Sequence, residues 1–260
     1  MKDLPLGEDD LAEPGVLEAS MIHRRPRIHG AVVLCFFNDL LERLAAQGTL
    51  TPLYRLRSEI GTNPVYEYRG ADGPVAVVHP GMGGPLAAAI VEELVALGMT
   101  SVVACGGAGA LVEELSLGDV MIVSSALRDE GTSFHYAAPS RIIDADPTGV
   151  AALEAVLRTN HLAYRVGRTW TTDAIFRETR GRVDRRIAEG CTMVDMESAA
   201  FIAVARYRHV RFAQLLYAGD SLVRQWDHRG WLRANDVRER LFGVAAQGAL
   251  ALAASPHHAP

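Results

Sequence analysis

The sequence predicts a single α/β domain: a central mixed β-sheet flanked by helices. Three observations predict it. Apolar runs of strand length alternate with segments of helical period along most of the chain, the pattern of a largely parallel sheet between helical layers. An Asp-Gly pair between two β-rich runs adds an antiparallel hairpin, which makes the sheet mixed. And 260 residues, 49% of them hydrophobic, can bury a substantial core without disulfide or metal staples.

The elements follow in order. Residues 1–27 open with the acidic, Pro- and Gly-punctuated MKDLPLGEDDLAEPG and read as an extension ahead of the domain, which spans 28–254. Ala31 to Phe37 is continuously apolar, as a strand covered on both faces is, and NDLLERLAAQG then reads as a helix ending at Gly48. PVYEYRG and PVAVVH, joined by Ala71-Asp72-Gly73, form the hairpin, and the second strand runs into HPGMGGP. Leu86 to Leu97 has helical spacing and stops at Gly98, before the strand SVVAC and the loop GGAGAL.

DVMIVSSAL is a further strand, whereas DEGTSFHYAAPSRIIDADP is polar and turn-rich enough to be a surface segment near the strand ends. A helix over 148–161, a strand YRVGRTWTT, a helix SAAFIAVARYR directly after MVDM, a strand RFAQLLYAG and a long C-terminal helix complete the domain. Residues 255–260 are expected to fray. Ligands of such sheets bind beyond the carboxyl ends of the strands.

Composition excludes several classes. A net charge of −5 gives no general attraction for nucleic acid or anionic lipid, and no apolar run reaches the roughly 20 residues that cross a bilayer. Cys35, Cys105 and Cys191 are widely spaced, and no His pair sits at ligand spacing, so neither a disulfide framework nor a metal site is expected. The start is acidic overall and lacks the positively charged opening and apolar stretch of a secretory signal, which points to a cytoplasmic protein.

Five stretches carry candidate chemistry. The glycine clusters Gly81-Met82-Gly83-Gly84-Pro85 and Gly106-Gly107-Ala108-Gly109 follow strands, and glycine lets backbone N–H groups approach an anion, with Pro85 opening a helix whose free donors face the loop. Either can equally be a plain strand-to-helix connection. Asp195 and Glu197 stand where a strand gives way to a helix; they suit an N-cap with a first-turn acid, and they equally suit a carboxylate that accepts from two neighbouring hydroxyls. Asp220, in YAGDSL past the last strand, is a turn residue or a general acid. His135 and Tyr136 in SFHY could meet a planar ligand.

Taken together and in this order, GMGGP, GGAGAL with LSLGDVMIV, DEGTSFHY, TWTTDAIF, VDMESAA and YAGDS resemble the nucleoside phosphorylase family of the uridine phosphorylase and hexameric purine phosphorylase type, over about residues 28–250. The resemblance implies a partly barrel-like sheet and cleavage of the N-glycosidic bond of a nucleoside by phosphate, giving a pentose 1-phosphate and a free base, with phosphate as co-substrate and no cofactor. It implies that Met196 packs on the ribose, that Glu197, beside Asp195, binds its hydroxyls, and that Ile175 and Phe176 line the base pocket with Asp173 in support. Gly107, Ala108, Gly109 and His135 complete the substrate set, and Gly81, Gly83 and Arg128 are the candidates for phosphate. Asp220 matches the acid of purine-cleaving members. A homo-oligomer built from dimers, up to a hexamer, is also implied.

The sequence departs from the family where phosphate is held. Cys35 to Leu40 replaces the Gly-Asp-Pro-x-x-Arg loop, Ala104 replaces an arginine and Gly107 a hydroxyl residue. Phosphate would lose its bidentate partners. Hydrolytic relatives lack those arginines too but place a glutamate near position 40, where only Asp39 comes close. A nucleosidase, and a non-catalytic nucleoside-binding or storage protein, are the alternatives.

Overall fold

The computed structural model describes residues 5–8 and 10–255. Ten strands form one sheet: β1 (Ala31–Cys35), β2 (Leu50–Ser58), β3 (Gly61–Gly70), β4 (Gly73–Val78), β5 (Ser101–Ala110), β6 (Val120–Asp129), β7 (Ile142–Asp144), β8 (Arg165–Thr172), β9 (Cys191–Asp195) and β10 (Arg211–Ser221). Seven α-helices cover it: α1 (Ala19–Ile22), α2 (Asn38–Ala46), α3 (Gly84–Ala96), α4 (Pro147–Thr159), α5 (Arg180–Ala188), α6 (Ser198–Tyr207) and α7 (Asn235–Ala254).

The strand order is β10-β6-β8-β9-β5-β1-β4-β3-β2, and β10 also pairs with β5. That second pairing closes β5, β10, β6, β8 and β9 into a five-stranded barrel, from which β1, β4, β3 and β2 continue as an open wing. β1 is parallel to both β4 and β5, and the Asp72-Gly73 hairpin makes β3 antiparallel to β4. β5 is therefore the hinge of the architecture: β1 and β10 flank its first half, β9 and β10 its second.

Continuously apolar strands need cover on both faces, and each face has its own core. On one side Phe201, Ile202 and Val204 of α6 and Ile90, Val91 and Leu94 of α3 pack against Val32, Val102 and Leu216. On the other, Leu241, Phe242 and Leu252 of α7 and Leu153 and Leu157 of α4 pack against Val33, Val103 and Leu215. All three cysteines are free and buried. No described helix is long and apolar enough to cross a membrane.

Four segments differ from the sequence reading. Residues 50–58 form strand β2, an edge whose outer face is polar and which therefore lacks a continuous apolar run. Gly106 to Gly109 lie inside β5 and not in a loop after it; there the Cβ-less positions let Phe36 and Tyr217 press onto the strand, the ring atoms standing 3.0 and 3.2 Å from where a Cβ would be. The polar segment after β6 contains β7 and a buried Ser133, because Arg128 folds it inward. Residues 180–188 form the charged helix α5. From residue 256 on, the expected frayed tail lies outside the described residues.

Candidate active site

Asp195 ends β9, and the chain must then turn into α6, leaving the first amides of that helix without partners. Asp195 supplies them: one carboxylate oxygen accepts from Glu197 N (3.0 Å), Ser198 N (2.6 Å) and Ser198 Oγ (2.6 Å), the other from the hydroxyls of Thr169 (3.2 Å) and Thr171 (3.0 Å) of β8. Thr171 Oγ1 in turn accepts from Ala199 N. Every lone pair of this buried acid faces the protein, so Asp195, counted among the substrate contacts by the resemblance, is the clasp of the β9–α6 turn. Burial pushes its carboxyl up and those donors pull it back.

The turn delivers Glu197 to the far side. It is 7% exposed, and its Oε1 accepts from Gly83 N at 2.6 Å, across from β4 to β9. Gly83 has φ +88°, a conformation that glycine takes without penalty, and this points its N–H away from α3 and at the carboxyl. Burial first, then the nearby Asp195 charge, raises Glu197 to about 8. A buried carboxyl met only by the backbone amides of Gly83 and Met196 has acceptor capacity left over. Met196 beside it is half-buried.

Asp220 closes β10. A Cβ at Gly109 would lie 3.4 Å from Asp220 Oδ1 and 2.9 Å from Val194 Cγ1, so the glycine run has the end of β10 on one flank and the β9 strand that leads to Glu197 on the other. Asp220 Oδ2 accepts from the indole N–H of the exposed Trp226 at 2.8 Å. Beside Asp220 stands Glu178, half-buried and raised to about 7 by burial and by the Asp220 charge. Neither Glu178 nor Trp226 was picked out from sequence. The acid in FRETRGR was the available signal for Glu178; nothing local marks Trp226.

The phosphate candidates are committed elsewhere. Gly81 N donates to His79 Nδ1 at 3.0 Å, and Gly83 N to Glu197, so a carboxylate takes the amide expected to meet an anion. Arg128 is buried and turned into its own loop: it donates to Ser133 Oγ (2.7 Å), Ala137 O (3.0 Å), Ala138 O (2.7 Å) and Ser140 Oγ (2.9 Å), and lies 4.1 Å over the Phe134 ring. Asp39, near the hydrolytic position, is held by both terminal nitrogens of Arg238 at 2.8 and 2.6 Å, with the guanidinium over Phe37.

The remaining candidates scatter around this centre. Asp173 accepts from Gly131 N at 2.8 Å and, with His135, lines a cleft of about 380 Å³ between the start of α3 and the 3-10 turn Thr132–His135. Ile175 and Phe176 are 48% and 95% exposed; within one chain they enclose nothing. Gly107 is open to solvent, whereas Ala108 and Gly109 are buried. Among the described residues no cluster of three His, Cys, Asp or Glu side chains is arranged to hold a metal.

A sequence profile of the phosphorylase superfamily matches residues 31–249. A guanosine phosphorylase from Halorubrum lacusprofundi is 29% identical over 156 residues, 60% of this chain and 64% of the relative. The chain spans less than two thirds of the length of the first curated relatives that it matches. Among solved structures, a uridine phosphorylase from Vibrio fischeri superposes with a TM-score of 0.70 at 23% identity, covering 87% of this chain and 92% of that one. An AMP nucleosidase from Bacteroides thetaiotaomicron superposes with a TM-score of 0.67 at 23% identity, covering 84% and 86%.

Proposed function

The chain belongs to the phosphorylase superfamily, and from that premise we propose that it cleaves the N-glycosidic bond of a nucleoside, with phosphate as acceptor, releasing the free base. The observation that carries the reading is the buried Glu197, held by Gly83 N–H on one side and clasped in place by the Asp195 turn on the other.

Breaking the bond builds positive charge on the sugar and negative charge on the base. Glu197 is suited to the first. Burial and the Asp195 charge outweigh its backbone donors and hold its carboxyl up, and the adjacent hydroxyls of a ribose supply two more donors, so binding substrate draws the carboxylate out where sugar charge develops. Asp220, across the glycine run, is suited to the departing base, and its match to purine-cleaving members favours a purine. The relatives include both a guanosine and a uridine phosphorylase. Exposed Val16, Leu17, Met21 and Ile22 beside the domain support a homo-oligomer.

Hydrolysis is the second reading, and one observation favours it: the two loop amides and Arg128 already have partners, and Phe36 stands against Gly106 where an anion would approach the β5 amides. Incubation with guanosine, inosine, adenosine and uridine, with and without phosphate, separates the readings. Base release that requires phosphate supports the first, release without it the second; no release from any nucleoside overturns both in favour of a binding protein.

A further inference from the structure

Glu178 follows the 3-10 turn Ile175–Arg177, in the stretch where Ile175 and Phe176 stand open to solvent. Two residues on, Arg180 Nη1 donates at 2.8 Å to Leu222 O and at 2.8 Å to Val223 O, two and three residues past Asp220. These bonds staple the two segments together and hold Glu178 beside Asp220. The carboxyl of Asp220 has a partner, Trp226 Nε1; Glu178 has no hydrogen-bond donor among the described residues. Arg180, two residues on, is turned away to those carbonyls and to Asp184 at 2.8 Å, and the adjacent Arg177 forms no ion pair with Glu178 among the described residues. Asp220 is the charged group that faces Glu178, and behind Asp220 stand Tyr217 and the Arg238–Asp39 pair. Burial and the facing Asp220 charge both raise the Glu178 carboxyl, to about 7.

Resting on the glycosidic-cleavage reading, we infer that Glu178 is the group that delivers a proton to the leaving base, with Asp220 as its charged partner. Glu178, which has no donor among the described residues, keeps the proton. Burial and the Asp220 charge hold the Glu178 proton up to about pH 7, where the chemistry needs it. As the C1′–N bond breaks, its electron pair stays on the base nitrogen, which takes the proton from Glu178. The acceptor's oxygen bonds to C1′ and releases its own proton, which returns through solvent to the Glu178 carboxylate.

The test compares the parent chain, Glu178→Gln and Asp220→Asn on guanosine and on 7-methylguanosine, whose base is already cationic and needs no proton to leave. In the parent, kcat/KM for guanosine should fall as pH rises through about 7. Glu178→Gln should lose that alkaline limb and about 100-fold in rate on guanosine, while 7-methylguanosine is cleaved nearly as by the parent. Asp220→Asn should keep the limb, moved to lower pH, because removing the facing charge makes Glu178 easier to ionise. The inference is overturned if Glu178→Gln keeps the limb, if it slows both substrates alike, or if Asp220→Asn alone removes the limb. For an enzyme that takes uridine only, the limb measured on uridine decides by the same outcomes. A parent that releases no base from any nucleoside sinks the cleavage reading itself, whereas an active parent with an unmoved Glu178→Gln profile sinks only the role of Glu178.

Discussion

Oε1 of Glu197 accepts a 2.6 Å hydrogen bond from the backbone N–H of Gly83, joining the end of β9 to the loop after β4. The bond fixes the carboxyl at the cost of burying it, which raises it from the usual 4.5 to about 8. A raised acid stabilises the fold fully below its ordinary value, and that contribution is lost as pH rises through the folded value. Glu197→Gln keeps an acceptor for Gly83 and removes the ionisation. Its melting temperature should therefore exceed the parent's at pH 9, by a margin on the order of 2 kcal/mol in stability, and the margin should shrink towards pH 5. Base release should fall by at least about 100-fold. A melting difference that does not grow with pH would show that the carboxyl ionises freely; an unchanged rate would remove Glu197 from the ribose.

Asp195 clasps the β9–α6 turn. Asp195→Ala strands two amides of the α6 start and the hydroxyls of Thr169, Thr171 and Ser198, at least three of them buried. Loss of an N-cap together with unsatisfied buried donors should cost about 3 kcal/mol in urea unfolding. Thr171→Val, which removes one of those donors, should cost about 1 kcal/mol. A near-neutral Asp195→Ala would mean that water takes over its acceptor role and that the carboxyl is free for a ligand.

The fold was legible because its period is legible. β1 and β4 are unbroken apolar runs, the Asp72-Gly73 turn marks the β3–β4 hairpin, and α3 and α7 have capping or breaking residues at their ends. β2 escaped because an edge strand has one wet side, and β5 was cut short because its second half is glycine, which pattern reading takes for loop; its ladders to β10 and β9, distant in sequence, make it a strand. The site divides in the same way. Glu197 and Asp220 stand out as acids at strand ends, visible in the chain as written. That Asp195 is spent on Thr169 and Thr171 of the neighbouring strand, that Arg128 curls back onto Ala137 and Ala138 of its own loop, and that Glu178 meets Asp220 are all set by tertiary folding, and a linear pattern carries no trace of them.

Arg128 should behave as a structural residue. Its four bonds to Ser133, Ala137, Ala138 and Ser140 hold the segment between β6 and β7, and it stacks on Phe134. Arg128→Ala should lower stability by about 2–3 kcal/mol through lost packing and unsatisfied carbonyls. In a phosphate-dependent reaction the KM for phosphate, measured at a temperature where the variant is folded, should stay at the parent value. A large rise in that KM with stability intact would return Arg128 to the ligand.

Two glycine substitutions separate backbone strain from crowding near the proposed centre. At Gly83 a Cβ meets nothing within 4 Å, yet φ is +88°, so Gly83→Ala should cost about 1–3 kcal/mol from conformation alone. If the backbone relaxes to avoid that strain, the N–H leaves Glu197 and activity falls with it. At Gly109 the backbone is ordinary, but a Cβ would stand 2.6 Å from Leu222 Cδ1 and 2.9 Å from Val194 Cγ1. Leu222 can swing its tip aside; Val194, β-branched and buried in the strand that leads to Glu197, cannot. Gly109→Ala should therefore push β9 away from β10, widen the gap between Glu197 and Asp220, and lower kcat/KM by more than its loss of about 1–2 kcal/mol in stability would suggest. If melting curves and kcat/KM are measured together, a Gly109→Ala variant with full activity would mean that Glu197 and Asp220 do not act on one substrate across the glycine run.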